Sequence, residues 1–217
     1  RGRGGGQRRQ PPRMRVALCA TCLVDQFFPE VGEATVKVLR HLGVDVAFPE
    51  AQTCCGQIGF NGGYRKEAAD VARHFVETFE PYDHIVAPSG SCSSMIKVYY
   101  PELFADDPDM LERATAVGEK THEFSDFIVN VLGVTEVGGV STGLVTYHDA
   151  CHLLRELGIS EEPRTLIQNT RGVELQEMPK SDACCGFGGL FSVKFPEIST
   201  AILNEKVSNI EETGAST

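Results

Sequence analysis

Long apolar runs, a secretion signal and nucleotide-binding fingerprints are all missing from this sequence of 217 residues. No apolar run approaches the roughly 20 residues that a transmembrane helix needs, so no membrane span is predicted. The N-terminus lacks the apolar core of a secretory signal, and the expected compartment is therefore the cytoplasm. The glycine-rich stretches match neither a Walker loop nor a dinucleotide fingerprint, and there is no flavin motif. No Ser-His-Asp arrangement or pair of carboxylates stands out either.

The charge of the chain is acidic overall but basic at its start. The formal net charge is −10 at pH 7, whereas residues 1–13 carry five arginines and no acidic residue. This Arg/Gly tail is predicted to be disordered. Without its five positive charges, residues 14–217 stand at −15. Because so acidic a body is a poor binder of polyanions, nucleic acid is not an expected partner.

Eight cysteines carry the strongest pattern in the sequence. Cys-Cys-Gly occurs at 54–56 and again, 130 residues later, at 184–186. Cys22 lies 32 residues before the first doublet, Cys151 lies 33 residues before the second, and Cys92 lies 37 residues after the first. A matching cysteine after the second doublet would fall just past the last residue given. Such a repeat favours metal or redox chemistry over a disulfide framework or scattered core thiols.

The alternation of strand-like and helix-like segments predicts an α/β fold built from two pseudo-repeated halves. The sheets are expected to be mainly parallel, with the cysteine loops at the carboxyl ends of strands. The predicted segments are a first half over 14–104, a helical connection over 105–141, and a second half over 142–217 that is truncated at its C-terminus. Within them, the helix after Cys92 is expected to stop before Pro101, and 110–132 carries a helical pattern.

Cys22, Cys54, Cys55 and Cys92 together supply the four thiolates that an iron–sulfur cluster needs. Gly56 permits the tight turn that two adjacent cysteines require to reach one metal core. Zinc is the main metal alternative, because four thiolates also make a structural zinc site, with His148 or His152 replacing a thiol in the second half.

A third hypothesis is a thiol–disulfide redox protein that uses the Cys-x-x-Cys pair Cys19 and Cys22. Cys19 has no counterpart in the second half, however, whereas Cys22 corresponds to Cys151. We therefore interpret Cys19 as a strand residue.

Five segments of the chain make it resemble the CCG-domain (cysteine-rich) family of iron–sulfur proteins. The family includes a component of heterodisulfide reductase, the iron–sulfur subunit of glycolate oxidase and, most similar to this chain, the lactate-utilisation protein A group. The segments are Thr21-Cys22-Leu23-Val24-Asp25, Gln52-Thr53-Cys54-Cys55-Gly56-Gln57, Ala87-Pro88-Ser89-Gly90-Ser91-Cys92, Tyr147-His148-Asp149-Ala150-Cys151-His152 and Cys184-Cys185-Gly186-Phe187-Gly188-Gly189.

The resemblance implies an electron-transfer subunit of an oxidoreductase complex that converts L-lactate to pyruvate. Its implied partners are a second iron–sulfur protein and a third small subunit. The implied cofactor is a [4Fe–4S] cluster in the first half, with a second cluster if the missing cysteine is supplied. The fullest form of the family motif ends in Cys-x-x-Cys, and Met95 at that position counts against five-cysteine ligation. The implied ligands are Cys22, Cys54, Cys55, Cys92, Cys151, Cys184 and Cys185.

Overall fold

A computed structural model describes residues 14–216, so the Arg/Gly tail lies outside the described residues. In this range the strands are β1 (Arg15–Leu18), β2 (Asp45–Ala47), β3 (His84–Ala87), β4 (Thr121–Glu123), β5 (Val140–Val145) and β6 (Arg171–Leu175).

Most of the remaining described chain is helical. None of the helices within 14–216 is long and apolar enough to cross a membrane. Two stretches, Met95–Tyr99 and Phe127–Val131, are π-helical. The α-helices are α1 (Cys22–Phe27), α2 (Pro29–His41), α3 (Gln57–Asn61), α4 (Arg65–Phe79), α5 (Gly90–Ser94), α6 (Tyr100–Leu103), α7 (Pro108–Glu119), α8 (Phe124–Asp126), α9 (Cys151–Arg155), α10 (Glu161–Gln168), α11 (Leu190–Lys194) and α12 (Pro196–Glu211).

The strands form two parallel sheets. The larger sheet has the order β2-β1-β3-β4, and β5 pairs with β6 in the smaller one. The predicted α/β class with parallel sheets and a repeated cysteine-rich unit is therefore confirmed. In the larger sheet the chain moves from β1 outward to β2 and then returns to place β3 on the other side of β1. The order of strands thus reverses at β1 and β3, the position where open α/β sheets bind their ligands.

Helices cover both faces of the larger sheet because its central strands are apolar on both sides. In β1, Val16 and Leu18 face a cluster that includes Leu39 of α2, whereas Ala17 faces a second cluster on the opposite side. This alternation follows the two-residue period of a strand. The second cluster contains Phe75, which stacks on Phe79 with ring centroids 4.2 Å apart. A core on each face fixes the carboxyl edge of the sheet, where the cysteine loops begin.

Two predicted helices differ from the structure. The helix after Cys92 does not stop before Pro101 but continues to Leu103 through the π-helical stretch Met95–Tyr99. Proline in a regular helix removes one hydrogen bond and clashes with the preceding turn, and here Pro101 lies in the first turn of the new segment α6. The helical pattern over 110–132 is interrupted by β4, which pairs with β3 at the sheet edge. A three-residue strand is too short to produce a period of its own.

We expect Phe75→Ala to lower the free energy of unfolding by about 3–5 kcal/mol, because it opens a cavity in a fully buried aromatic cluster. Urea denaturation with a fluorescence or circular-dichroism readout measures this loss. The matched control is Phe27→Ala, since Phe27 is 69% exposed. Equal losses from the two substitutions would contradict the assignment of this core.

Candidate metal centre

The seven cysteines predicted as ligands all line one cavity of about 370 Å³ between the two halves of the chain. The sequence repeat predicts two groups of cysteine loops, but it does not indicate how far apart the two groups lie. Other lining residues include His148 and His152. The first set consists of Cys22, Cys54, Cys55 and Cys92, and the second set consists of Cys151, Cys184 and Cys185.

The first set is assembled from loops that follow three neighbouring parallel strands. Cys22 is the first residue of α1 after β1, and the hydroxyl of Thr21 caps this helix by accepting a hydrogen bond from the N–H of Val24. Cys92 lies in α5 after β3. Its sulfur is 3.4 Å from the sulfur of Cys55, which belongs to the doublet after β2. The convergence follows directly from the strand order, since these loops meet at the switch point.

Each doublet turns sharply at its glycine. Gly56 has φ of 84° and Gly186 has φ of 83°, a left-handed conformation that favours glycine. The turn directs the N–H of Gly56 to the sulfur of Cys54 at 3.4 Å, and the N–H of Gly186 to the sulfur of Cys184 at 3.3 Å. The two doublets therefore have the same local geometry. Backbone N–H groups aimed at sulfur favour its anionic form.

The protonation of the first set is uneven because its thiols hydrogen-bond to one another. The thiol of Cys55 and the N–H of Gly56 lower the pKa of Cys54 to about 5. The pKa of Cys55 is raised because its thiol donates to Cys54. Burial and the neighbouring sulfur charges raise the pKa of Cys22 to about 11. The pKa of Cys92 is also lowered, by hydrogen bonds with the thiol of Cys55 and the hydroxyls of Ser89 and Ser91. A bound cation would lower the thiol pKa values of the set further.

The donor chemistry of the cavity fits a soft metal or an iron–sulfur group, for which thiolates are the preferred ligands. The thiols are spread around the wall of the cavity and do not converge on a single point. In the described part of the chain, no three His, Cys, Asp or Glu side chains are grouped closely enough to hold a metal ion. Cys19 does not line the cavity and is 2% exposed in the core beneath it, where burial raises its pKa.

A polar cluster fixes the loops of the second set, and sequence reasoning did not identify it. The buried carboxylate of Asp149 receives two hydrogen bonds of 2.7 Å from the guanidinium of Arg164 and one of 2.7 Å from the hydroxyl of Ser181. Arg164 also binds Glu177 and lies over the ring of Tyr147. Since Asp149 precedes Cys151 and Ser181 precedes the second doublet, the cluster holds the two cysteine loops together. Asp149 lies in a segment that resembles the family, and this was the only signal in the sequence.

The guanidinium of Arg164 lowers the pKa of Asp149 to about 2. The Asp149 side chain is only 5% exposed and that of Arg164 only 12%. We therefore expect Arg164→Ala, which leaves a buried carboxylate without its counter-charge, to cost about 3–5 kcal/mol in urea denaturation. Arg164→Lys should recover only part of this loss, because an ammonium group cannot bind two carboxylates with a planar fork.

The control for Arg164 is Lys37→Ala, which breaks an exposed ion pair with Glu33. Its effect should stay within about 0.5 kcal/mol of the wild type. If Arg164→Ala cost no more than Lys37→Ala, the cluster would not hold the second set of loops.

Comparison with known proteins agrees with the resemblance carried by the cysteine motifs. A family model described as a cysteine-rich domain, CCG, matches residues 16–97 and 145–217. Lactate utilization protein A of Bacillus cereus (strain G9842) is 48% identical over 202 residues, which cover 93% of this chain and 84% of the relative. The protein of the same name from Bacillus thuringiensis (strain Al Hakam) is 49% identical with the same coverage, as is lactate utilization protein A 2 of Bacillus anthracis (strain CDC 684 / NRRL 3495). These three relatives are lactate utilization proteins, and the chain belongs to the cysteine-rich CCG-domain family.

Proposed function

We propose that this chain is an iron–sulfur electron-transfer subunit of a system that oxidises L-lactate to pyruvate. The observation that supports it most is the convergence of seven thiols on one cavity. The name of the relatives, lactate utilization protein A, supports the substrate. Oxidation of L-lactate to pyruvate releases two electrons and two protons. The sequence has no flavin motif, so we assign the carbon–hydrogen chemistry to a partner subunit and electron passage to this chain.

In this proposal the cluster is a [4Fe–4S] cluster, and its ligands would be Cys22, Cys54, Cys55 and Cys92. When bound, such a group accepts and donates single electrons. The chain contributes Cys54, whose pKa is lowered to about 5, and a backbone N–H from Gly56 that stabilises charge on its sulfur. The low exposure of Cys55 and Cys92, 6% and 7%, keeps water from their sulfurs.

The second set, formed by Cys151, Cys184 and Cys185, has three thiols facing the same cavity. A second cluster would need one further ligand to reach four. The partners we propose are the remaining subunits of the lactate-oxidising system, including a second iron–sulfur protein, and the compartment we propose is the cytoplasm.

Purification without oxygen should give brown protein that contains iron and acid-labile sulfide. Cys54→Ser should remove most of the iron and sulfide of the first set, because it deletes the thiolate at the turn of the doublet. The matched control is Cys19→Ala, which deletes a thiol that does not line the cavity and should retain the metal content of the wild type. Iron and sulfide assays, together with electron paramagnetic resonance after reduction with dithionite, measure these outcomes.

Colourless protein with stoichiometric zinc would overturn the proposal and favour a zinc-stabilised scaffold. Retention of iron in Cys54→Ser with a loss of redox activity in Cys19→Ala would instead favour a thiol–disulfide protein that uses Cys19 and Cys22.

A further inference from the structure

One cysteine of each set lies on a short helix, and these two helices pack directly against each other. Cys92 lies in α5, and Cys151 is the first residue of α9. The helices approach so closely at Gly90 that a Cβ on this residue would be 2.7 Å from the Cβ of Leu153. Leu153 is itself 6% exposed. The packing brings the sets together, but an apolar contact of this kind is non-directional and does not fix how one helix is rotated on the other.

Glu156 supplies the directional contact between the halves. It follows α9 immediately, and its carboxylate reaches residues of the first half that are about 60 positions away in the sequence. One oxygen accepts a hydrogen bond of 2.6 Å from the hydroxyl of Tyr99, and the other accepts one from the hydroxyl of Ser94. The second oxygen also lies 3.0 Å from Nδ1 of His152, on the same helix as Cys151. One carboxylate is therefore shared by donors from both halves.

The environment of these donors makes the contact costly to lose. Ser94 is fully buried, so its hydroxyl relies on this carboxylate for a hydrogen bond. The hydrogen bond to Glu156 is the main reason why the pKa of Tyr99 is raised to about 12. Ser94 lies two residues after Cys92 on α5, and Tyr99 ends the π-helical stretch that follows. The two hydroxyl donors thus connect Glu156 to the helical segment that carries Cys92.

We propose that Glu156 is a positioning residue that couples the two cysteine sets, so that metal retention at the first set depends on this carboxylate of the second half. The expected effect on metal retention rests on the proposed function. The mechanical part of the proposal, that Glu156 joins the two helices, rests on the observed contacts alone. Glu156 does not line the cavity and is not itself a ligand. It acts through Ser94 and Tyr99 on one side and through His152 on the other.

Hydrogen exchange monitored by mass spectrometry on the purified full chain tests the mechanical part. In Glu156→Ala, amides of 90–99 and of 151–156 should both exchange about tenfold faster, the effect expected when a charge-assisted hydrogen bond is lost from a local opening equilibrium. Amides of α4, which lies away from the contact, should be unchanged. Glu161→Ala is the matched control, because it removes an exposed carboxylate from the first turn of α10.

Two further variants separate coupling from simple loss of fold. Glu156→Gln keeps an oxygen that can accept from Tyr99 and should restore part of the protection of 90–99. Gly90→Ala leaves Glu156 intact but forces α5 away from Leu153, so it should accelerate exchange in the same two segments. Faster exchange confined to 151–156 in Glu156→Ala, with 90–99 unaffected, would overturn the proposal, as would equal effects of Glu156→Ala and Glu161→Ala.

Release of iron to a ferrous chelator tests the metal-retention part on the same samples. Glu156→Ala should release iron from the first set about tenfold faster than the wild type and Glu161→Ala. An unchanged release rate would overturn this part. If the wild type contained no iron, the proposed function would fail, whereas the exchange data would still decide whether Glu156 couples the two helices.

Discussion

Sulfur charges repel one another, and this repulsion is the constraint on which the cavity depends. Seven thiols face a space of about 370 Å³. Burial raises the pKa of Cys22 to about 11, and the charges of neighbouring sulfurs add to this rise. A fold that brings such groups together without a cation gains little from their contact. The arrangement is stable in its charged form only around positive charge, which is the physical reason for assigning a metal centre to this cavity.

Packing of the sheet and hydrogen bonds hold the cysteine loops in place against this repulsion. The larger sheet is covered on both faces, so the ends of β1, β2 and β3 are fixed in position. The glycine turns bring backbone N–H groups to sulfur, and the Asp149 cluster ties the loops of the second set to one another. Glu156 then joins the second set to the first. Polar contacts thus support the site in three places: within each doublet, between the loops of the second set, and between the two sets.

The sequence was sufficient for those parts of the site that depend on local chemistry. Gly56 predicted a tight turn, and the alternation of strands with helices predicted parallel sheets with cysteines at their carboxyl ends. The β4 strand was missed because it is decided by its pairing with β3. The continuation of the helix past Pro101 was missed because it depends on a π-helical stretch, which has no characteristic pattern of apolar residues. Contacts such as that between Tyr99 and Glu156 join residues 57 positions apart and leave no spacing that could be recognised.

The most direct test of a sulfur-ligated iron centre is X-ray absorption at the iron edge of the protein purified without oxygen. We expect a first shell made of sulfur alone and a second shell of iron neighbours, with both signals strongly reduced in Cys54→Ser and kept in Cys19→Ala. A first shell of nitrogen and oxygen, or an absence of iron alongside stoichiometric zinc, would contradict it.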